Sequence, residues 1–221
     1  MHVKLTLSYV GTNFRGFQTL AGARTIQGEL ERAISAYSGT KTAVVAAGRT
    51  DAGVHANGQV VGFLLPQNLA QLPTESLLRD LNNIFPPDIR AKKIEIMDKF
   101  NARQAAKSKT YIYKTYFGKP DRSRDLFYLR LLQKPNITNA RTLAKQFSET
   151  SNFSHLCPDP DRNPICNISI DISQRNGDEI WLTFIGDRFL KHMVRILTAK
   201  ILCLNTTIAP PRGLTLENVG F

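Results

Sequence analysis

Residues 3–10 read VKLTLSYV. Val3, Leu5, Leu7 and Tyr9 fall on one face of this stretch, because successive side chains of a strand point to opposite faces. The residues between them are mostly polar and fall on the other face. The alternation therefore predicts a strand that buries one face in a core.

The residues that follow predict a loop and then a helix. Residues 11–24 contain three glycines among mostly polar side chains, which favours a long loop. A helix is predicted to begin near Thr25, a suitable N-cap residue, and to end at Gly39. Further strands are predicted over residues 42–47, 58–65 and 89–97, with a helix over residues 74–83.

The second half of the chain repeats this mixture of strands and helices. Residues 109–117 alternate like a strand, with Tyr111 and Tyr113 on the same face. Asn176 and Gly177 mark a hairpin turn. Strands are predicted over residues 168–173 and 179–185, and helices over residues 138–147, with Thr138 as N-cap, and 188–204. The pattern predicts an α+β protein made of two units of similar build.

The positive charge of the chain is concentrated in one segment. Lys and Arg number 29 against 18 Asp and Glu, which gives a net charge of +11. Residues 90–145, the basic segment, hold 15 basic and four acidic side chains, and the rest of the chain is balanced. Such an excess is expected where phosphates are neutralised, although a solvated basic face is the alternative.

Residues 48–56 read GRTDAGVHA and lie between two predicted strands. Glycines on either side of Arg49, Thr50 and Asp51 predict a tight loop that holds a carboxylate near a guanidinium and a hydroxyl. A nearby guanidinium favours the ionised carboxylate, which can act as a nucleophile or general base. The residues alone leave a second interpretation open, in which Asp51 caps a turn and pairs with Arg49 at the surface.

Other chemistries find little support in the sequence. It contains no HExxH pattern, Walker loop or GxGxxG motif, and His55 is expected to orient the loop rather than to act as a base. Cys157, Cys166 and Cys203 form no CxxC pair, which argues against a metal cluster and for a reducing compartment. No apolar run is long enough to predict a membrane helix. We therefore expect a cytoplasmic protein, and the sequence offers no motif that would bind a metal cluster or a nucleotide.

Residues 48–56 resemble the signature of the tRNA pseudouridine synthase A family. Other segments resemble the family in the same order along nearly the whole chain; they are residues 9–18, 24–30, 100–103, 109–113, 189–195 and 209–214. The family isomerises uridine to pseudouridine in tRNA without a metal or cofactor, so the resemblance implies this reaction here.

The resemblance also implies a fold. It predicts two similar ferredoxin-like or RRM-like α+β halves that share a mostly antiparallel sheet, with an active-site cleft between them. Residues 1–104 would form the half with the catalytic loop. Residues 105–221 would form the half with the basic strand and the core helix.

The resemblance assigns a role to each of five residues. Asp51 corresponds to the catalytic carboxylate of the family, and Arg49 to a residue implicated in flipping the target base. Tyr111 corresponds to the tyrosine that stacks on the uracil ring. Arg195 corresponds to the arginine that pairs with the carboxylate, and Leu214 to an apolar residue near the base.

Two further segments correspond to parts of the family that touch tRNA. They consist of Phe100, Asn101, Ala102, Arg103 and Gln104, and of Pro158, Asp159, Pro160, Asp161 and Arg162. Arg103 and Arg162 are the expected phosphate contacts.

The family acts as a homodimer on the anticodon stem-loop, at about positions 38–40 in tRNA numbering, and recognises shape more than sequence.

The chain also departs from the family pattern. Val10 and Phe17 stand where the family usually has Asp and Trp, and the stretch between Leu204 and Ala209 is shorter than usual. Residues 196–200 also differ from the small residues that the family usually has after its arginine. This difference and the shorter stretch keep a second hypothesis open, in which the chain is a non-catalytic tRNA-binding or tRNA-folding protein on the same scaffold.

Overall fold

The computed structural model describes residues 1–156 and 163–221. The chain forms two compact units, of which the first contains Met1–Lys107 and Leu216–Phe221 and the second contains Ser108–Thr215. Helices and a mostly antiparallel sheet make up the fold, which confirms the predicted α+β class. In this division the last residues of the chain belong to the first unit, and the domain boundary after residue 104 remains a prediction. The similarity of the two halves remains a prediction.

The first unit is built on an antiparallel sheet with the strand order β4-β1-β3, and a short strand β2 also pairs with β3. Its elements are β1 (His2–Tyr9), α1 (Ile26–Ser38), β2 (Val45–Ala46), β3 (His55–Leu64), α2 (Gln67–Ala70), α3 (Thr74–Ile84), β4 (Ile89–Met97) and α4 (Ala102–Ala105). The strand predicted over residues 42–47 is thus only two residues long. β3 begins three residues earlier than predicted, directly after the loop of residues 48–54, which we call the Gly-rich loop.

β1 is the central strand of this unit and confirms the alternation in the sequence. It pairs antiparallel with both β3 and β4. Val3, Leu5 and Leu7 have no exposed surface and Tyr9 is 3% exposed. Burial of a Leu side chain contributes about 1.5–3 kcal/mol to stability, so the apolar face of β1 anchors this unit.

The helix after the first loop begins and ends as its sequence predicts. The side chain of Thr25 accepts a hydrogen bond from the backbone N–H of Gly28, which caps α1. Gly39 ends the helix in the left-handed conformation, with φ of 68°. The apolar stripe that faces the core consists of Ile26, Leu30, Ala33 and Ile34.

The second unit contains a sheet with the strand order β5-β8-β7, and a short strand β6 runs parallel to β5. Its elements are β5 (Ser108–Phe117), β6 (Leu129–Leu131), α5 (Ile137–Ser148), β7 (Ile168–Arg175), β8 (Glu179–Gly186), α6 (Met193–Ile201) and β9 (Leu214–Gly220), which begins here and continues in the first unit. Within residues 1–156 and 163–221, no helix has the length and apolar character needed to cross a bilayer.

The hairpin predicted in the second unit is confirmed. β7 and β8 pair antiparallel, with Arg175 opposite Glu179. Asn176 and Gly177 form the turn with φ of 49° and 80°, as expected for the Asn-Gly pair of a tight hairpin.

Two helix starts in the second unit were predicted wrongly. α5 is capped by Asn136, whose side chain accepts a hydrogen bond from the backbone N–H of Asn139, and not by Thr138. α6 begins at Met193 rather than at residue 188, because His192 adopts φ of 59°. A residue in this left-handed region interrupts a right-handed helix, so residues 188–192 are not part of α6.

Candidate active site

The Gly-rich loop joins β2 to β3 and presents residues of different exposure. Thr50 is buried, Asp51 is half-buried and Arg49 is exposed. The backbone N–H of Val54 donates to the carbonyl oxygen of Asp51 at 3.2 Å, and Gly53 between them has φ of 76°. A tight turn of this kind needs a residue that tolerates positive φ in its third position, which explains the glycine after Asp51 and Ala52.

Residues of the first loop hold the Gly-rich loop from one side. The backbone N–H of Phe17 donates to the carbonyl oxygen of Thr50 at 3.0 Å, and the N–H of Gly53 donates to the carbonyl oxygen of Phe14 at 3.3 Å. Phe14 and Phe17 are both buried. The residues before and after Asp51 are therefore fixed by backbone bonds to a second segment.

His55 joins the same two segments. Its Nδ1 accepts a hydrogen bond from the backbone N–H of Gly11 at 3.2 Å, in a buried environment. Gly11 must be a glycine, because a Cβ there would overlap the carbonyl oxygen of Val54. A ring nitrogen that accepts carries no proton, so this contact fits the loop-orienting role expected for His55.

A buried polar network lies beneath the loop. The hydroxyl groups of Tyr9 and Thr50 are hydrogen-bonded at 2.7 Å. The side-chain N–H₂ of Gln59 donates to the carbonyl oxygen of Gly48 at 2.9 Å and to the Tyr9 hydroxyl at 3.4 Å. Burial raises the pKa of Tyr9 to about 12. The alternation of β1 identified Tyr9 only as a core residue, but a buried phenol also signals a hydrogen-bond partner.

An ion pair supports the first loop in turn. The Arg24 guanidinium donates two hydrogen bonds to the Asp88 carboxylate, at 2.7 and 2.9 Å, and lies 4.1 Å from the centre of the Phe14 ring. The carbonyl oxygen of Asp88 accepts from the backbone N–H of Val10 at 3.0 Å. Bidentate Arg–carboxylate pairs impose a defined geometry, so this pair fixes the position of Phe14.

In the second unit, Tyr111, which is predicted to stack on uracil, packs against another aromatic side chain. Tyr111 is buried, and its ring meets Phe189 edge-on with 5.2 Å between ring centres. Tyr113, two residues further along β5, donates from its hydroxyl to the carbonyl oxygen of Pro210 at 2.7 Å. Both rings thus tie β5 to segments of the second unit that precede α6 and β9.

Arg195 and Leu214 lie on segments that are linked to each other. Arg195 Nε donates to the carbonyl oxygen of Ala209 at 2.7 Å, and the Ala209 N–H donates back to the carbonyl oxygen of Arg195 at 3.1 Å. Burial raises the pKa of Tyr113, and the charges of Arg195 and Arg212 oppose that rise. Leu214 begins β9 and is buried.

The structure therefore divides the predicted site residues between the two units. Arg49 and Asp51 belong to the first unit, and Tyr111, Arg195 and Leu214 to the second. Their roles toward a substrate remain predictions.

The residues at 100–104 have different environments. The Phe100 and Phe221 rings lie 5.7 Å apart, and Ala102 is fully buried. The side chain of Asn101 accepts hydrogen bonds from the backbone N–H groups of Arg103 and Gln104 and so caps α4. Arg103 and Gln104 are exposed. Pro158, Asp159, Pro160, Asp161 and Arg162 lie outside the described residues.

Several charges of the basic segment are already paired. Arg124 contacts the carboxylates of Asp121, Asp178 and Glu179 at 3.1, 2.8 and 3.7 Å. Arg130 donates to the carbonyl oxygen of Gly118.

In the part of the chain that the structure describes, no three His, Cys, Asp or Glu side chains cluster as metal ligands would.

Comparison with known proteins identifies the family. A family model described as tRNA pseudouridine synthase matches residues 6–103. A protein of Moorella thermoacetica named tRNA pseudouridine synthase A is 32% identical over 248 aligned positions, which cover 99% of each chain. The chain belongs to the tRNA pseudouridine synthase A family. The resemblance found in the sequence, and the identification of an enzyme, are thereby confirmed.

Other members of the tRNA pseudouridine synthase A family are similar to the chain over most of its length. Those of Lacticaseibacillus casei and Bacillus subtilis are each 35% identical and cover 91% of the chain and 83% of their own length. The alignment with the Moorella thermoacetica member is longer than the 221 residues of the chain. That member therefore contains segments that the chain lacks.

The buried Tyr9 hydroxyl makes the free energy of unfolding depend on pH in alkaline solution. Its pKa is raised from 10.0 to about 12 in the folded chain, so its contribution is complete below pH 10 and is lost as the pH rises through about 12. We expect denaturant unfolding at a series of pH values to show wild type losing stability relative to Tyr9→Phe between pH 10 and 12. A constant difference across that interval would contradict the shift.

Proposed function

We propose that the chain is a tRNA pseudouridine synthase that converts uridine to pseudouridine in the anticodon stem-loop, with Asp51 as its essential carboxylate. Membership of the family supports the reaction. The observation that carries the role of Asp51 is the fixation of its loop. Hydrogen bonds from two other segments hold Thr50 and Gly53 on either side of the half-buried Asp51, and preorganisation of this kind is what catalysis requires of a reacting group.

The chemistry fits a site without a cofactor. In the isomerisation, the bond between N1 of uracil and C1′ of the ribose breaks, and a bond between C5 and C1′ forms. C5 loses a proton and N1 gains one, so substrate and product have the same composition and no oxidant or co-substrate is consumed. A positioned, ionised carboxylate can form a covalent bond to the substrate or take the C5 proton.

The remaining site residues are proposed to handle the nucleotide. Arg49 is exposed beside Asp51, where its long side chain can enter the space left by a flipped base and contact phosphate. Tyr111 supplies a flat ring for the uracil. Arg195 supplies a positive charge, and Leu214 supplies an apolar surface next to the base.

The tRNA backbone is proposed to lie on exposed basic residues. Arg103 and Gln104 can contact phosphate or ribose directly. The Asn101 cap, the buried Ala102 and the contact of Phe100 with Phe221 hold that segment in place. Residues 158–162, with Arg162 as a phosphate contact, are proposed as a second segment that binds tRNA. Arg124 contributes less than its position in the basic segment predicts, because three carboxylates already neutralise it.

We propose that the enzyme works as a cytoplasmic homodimer, as its family resemblance implies. Sedimentation equilibrium is expected to give twice the 24.7 kDa of one chain. A single-chain mass at micromolar concentration would contradict the dimer and leave the catalytic proposal intact.

Asp51→Asn tests the catalytic proposal. The variant keeps the size of the side chain but removes its charge, so we expect the single-turnover rate of pseudouridine formation to fall by at least about 10³-fold. Asp98→Asn, at an exposed aspartate of the same unit, is the matched control and should keep the wild-type rate. A wild-type rate in Asp51→Asn would refute the role of Asp51. Wild-type protein that binds tRNA but forms no pseudouridine would instead favour the non-catalytic alternative.

Arg103→Ala tests the proposed tRNA surface. Loss of one phosphate contact should weaken tRNA binding at low salt and reduce the slope of log affinity against log salt concentration by about one. Arg79→Ala changes an equally exposed arginine outside the basic segment and should leave both affinity and slope unchanged. Equal behaviour of the two variants in a salt titration would remove Arg103 from the tRNA surface.

A further inference from the structure

We propose that Tyr9 and Gln59 are positioning residues for Asp51, acting through the residues that flank Arg49. This inference rests on the proposed function, because it assumes that Asp51 is the essential carboxylate. Neither residue is part of the 48–56 motif, and both are buried: Tyr9 is 3% exposed and Gln59 has no exposed surface.

The two residues reach the loop because of how β1 and β3 pair. Gln59 on β3 lies opposite Leu7 of β1, so its side chain shares the core face on which Tyr9 also lies. The register shifts between Leu7 and Tyr9. The core here thus contains a phenol and an amide side by side, in a position that apolar residues would otherwise fill.

Tyr9 and Gln59 form hydrogen bonds with Thr50 and Gly48, which are the residues on either side of Arg49 in the Gly-rich loop. Gln59 donates to the carbonyl oxygen of Gly48 at 2.9 Å and to the Tyr9 hydroxyl at 3.4 Å. Because that hydroxyl oxygen accepts from Gln59, its own proton is available to the Thr50 hydroxyl at 2.7 Å. Burial raises the pKa of Tyr9 to about 12, so the hydroxyl keeps its proton at neutral pH.

Thr50 is the point through which this network acts on Asp51. Its hydroxyl is held by Tyr9, and its carbonyl oxygen accepts from the backbone N–H of Phe17 at 3.0 Å. Both ends of the residue before Asp51 are therefore fixed. Loss of the hydroxyl bond leaves only the bond from Phe17 to hold Thr50 next to Asp51, and small misplacements of a reacting group reduce the rate strongly.

A pair of isosteric variants tests the hydrogen bond itself. Tyr9→Phe and Thr50→Val delete the same bond from opposite ends, so we expect each to lower kcat for pseudouridine formation by about 10-fold while KM for tRNA changes less than about twofold. The double variant should be no slower than the slower single variant, because the second change removes nothing further. Thr50→Ser restores a hydroxyl and should recover most of the rate lost in Thr50→Val.

Tyr37→Phe is the matched control. It removes a hydroxyl that donates to Asp80 in the same unit at 3.1 Å, on α1 rather than beneath the loop, and should keep wild-type kcat. Gln59→Met should show the same fall in kcat with little change in KM as Tyr9→Phe. Thermal unfolding of every variant is recorded, since a rate loss explained by the unfolded fraction alone would overturn the proposal.

The outcomes separate this inference from the proposed function. Wild-type kcat in Tyr9→Phe overturns the role of Tyr9, and wild-type kcat in Gln59→Met overturns that of Gln59. Additive losses in the double variant also overturn the proposal, since they would show two independent effects. If Asp51→Asn is inactive in the same assay, the catalytic role of Asp51 stands whichever of these results is found. If Asp51→Asn is active, the proposed function itself fails.

Discussion

The immobilisation of Thr50 is the constraint on which the candidate site depends. Its hydroxyl is bound by a tyrosine of β1 and its carbonyl oxygen by a backbone N–H of the first loop. These contacts come from parts of the chain that are far apart in sequence, and they exist only once β1 and β3 have paired. The arrangement of the Gly-rich loop therefore depends on tertiary contacts of the first unit. The Arg24–Asp88 pair extends this coupling, because it holds Phe14, whose carbonyl oxygen binds Gly53.

The parts of the fold that the sequence predicted well are those decided by neighbouring residues. The alternation of β1, the Thr25 cap and the Asn176–Gly177 turn all depend on interactions over a few positions, and all three are confirmed. The start of α6 was predicted wrongly for a different reason. The apolar spacing of residues 188–204 continues through His192, but spacing carries no information about a single backbone angle of opposite sign.

For the candidate site, the sequence identified the loop but not what supports it. The 48–56 motif identified Asp51 by residue type and by family resemblance. The supporting bonds join Tyr9 to Thr50 across 41 positions and Arg24 to Asp88 across 64, and no periodic pattern links residues so far apart. Ion pairs between residues far apart in sequence cannot be predicted from a sequence pattern either. Arg124 is one of the basic residues of the basic segment, and its contacts with Asp178 and Glu179, more than 50 positions away, cannot be read from the count of charges.

The reciprocal bonds between Arg195 and Ala209 have a consequence for how this family can vary. The Arg195 side chain donates to Ala209 and the Ala209 backbone N–H donates back to Arg195. These two bonds hold together the ends of the stretch between the two residues. Most of α6 lies in this stretch and buries Leu197, Thr198 and Ile201, so only the residues between the end of the helix and Ala209 can change in number without disturbing the core. A longer connection at that point would keep the bond between Arg195 and Ala209 and the neighbouring bond from Tyr113 to Pro210.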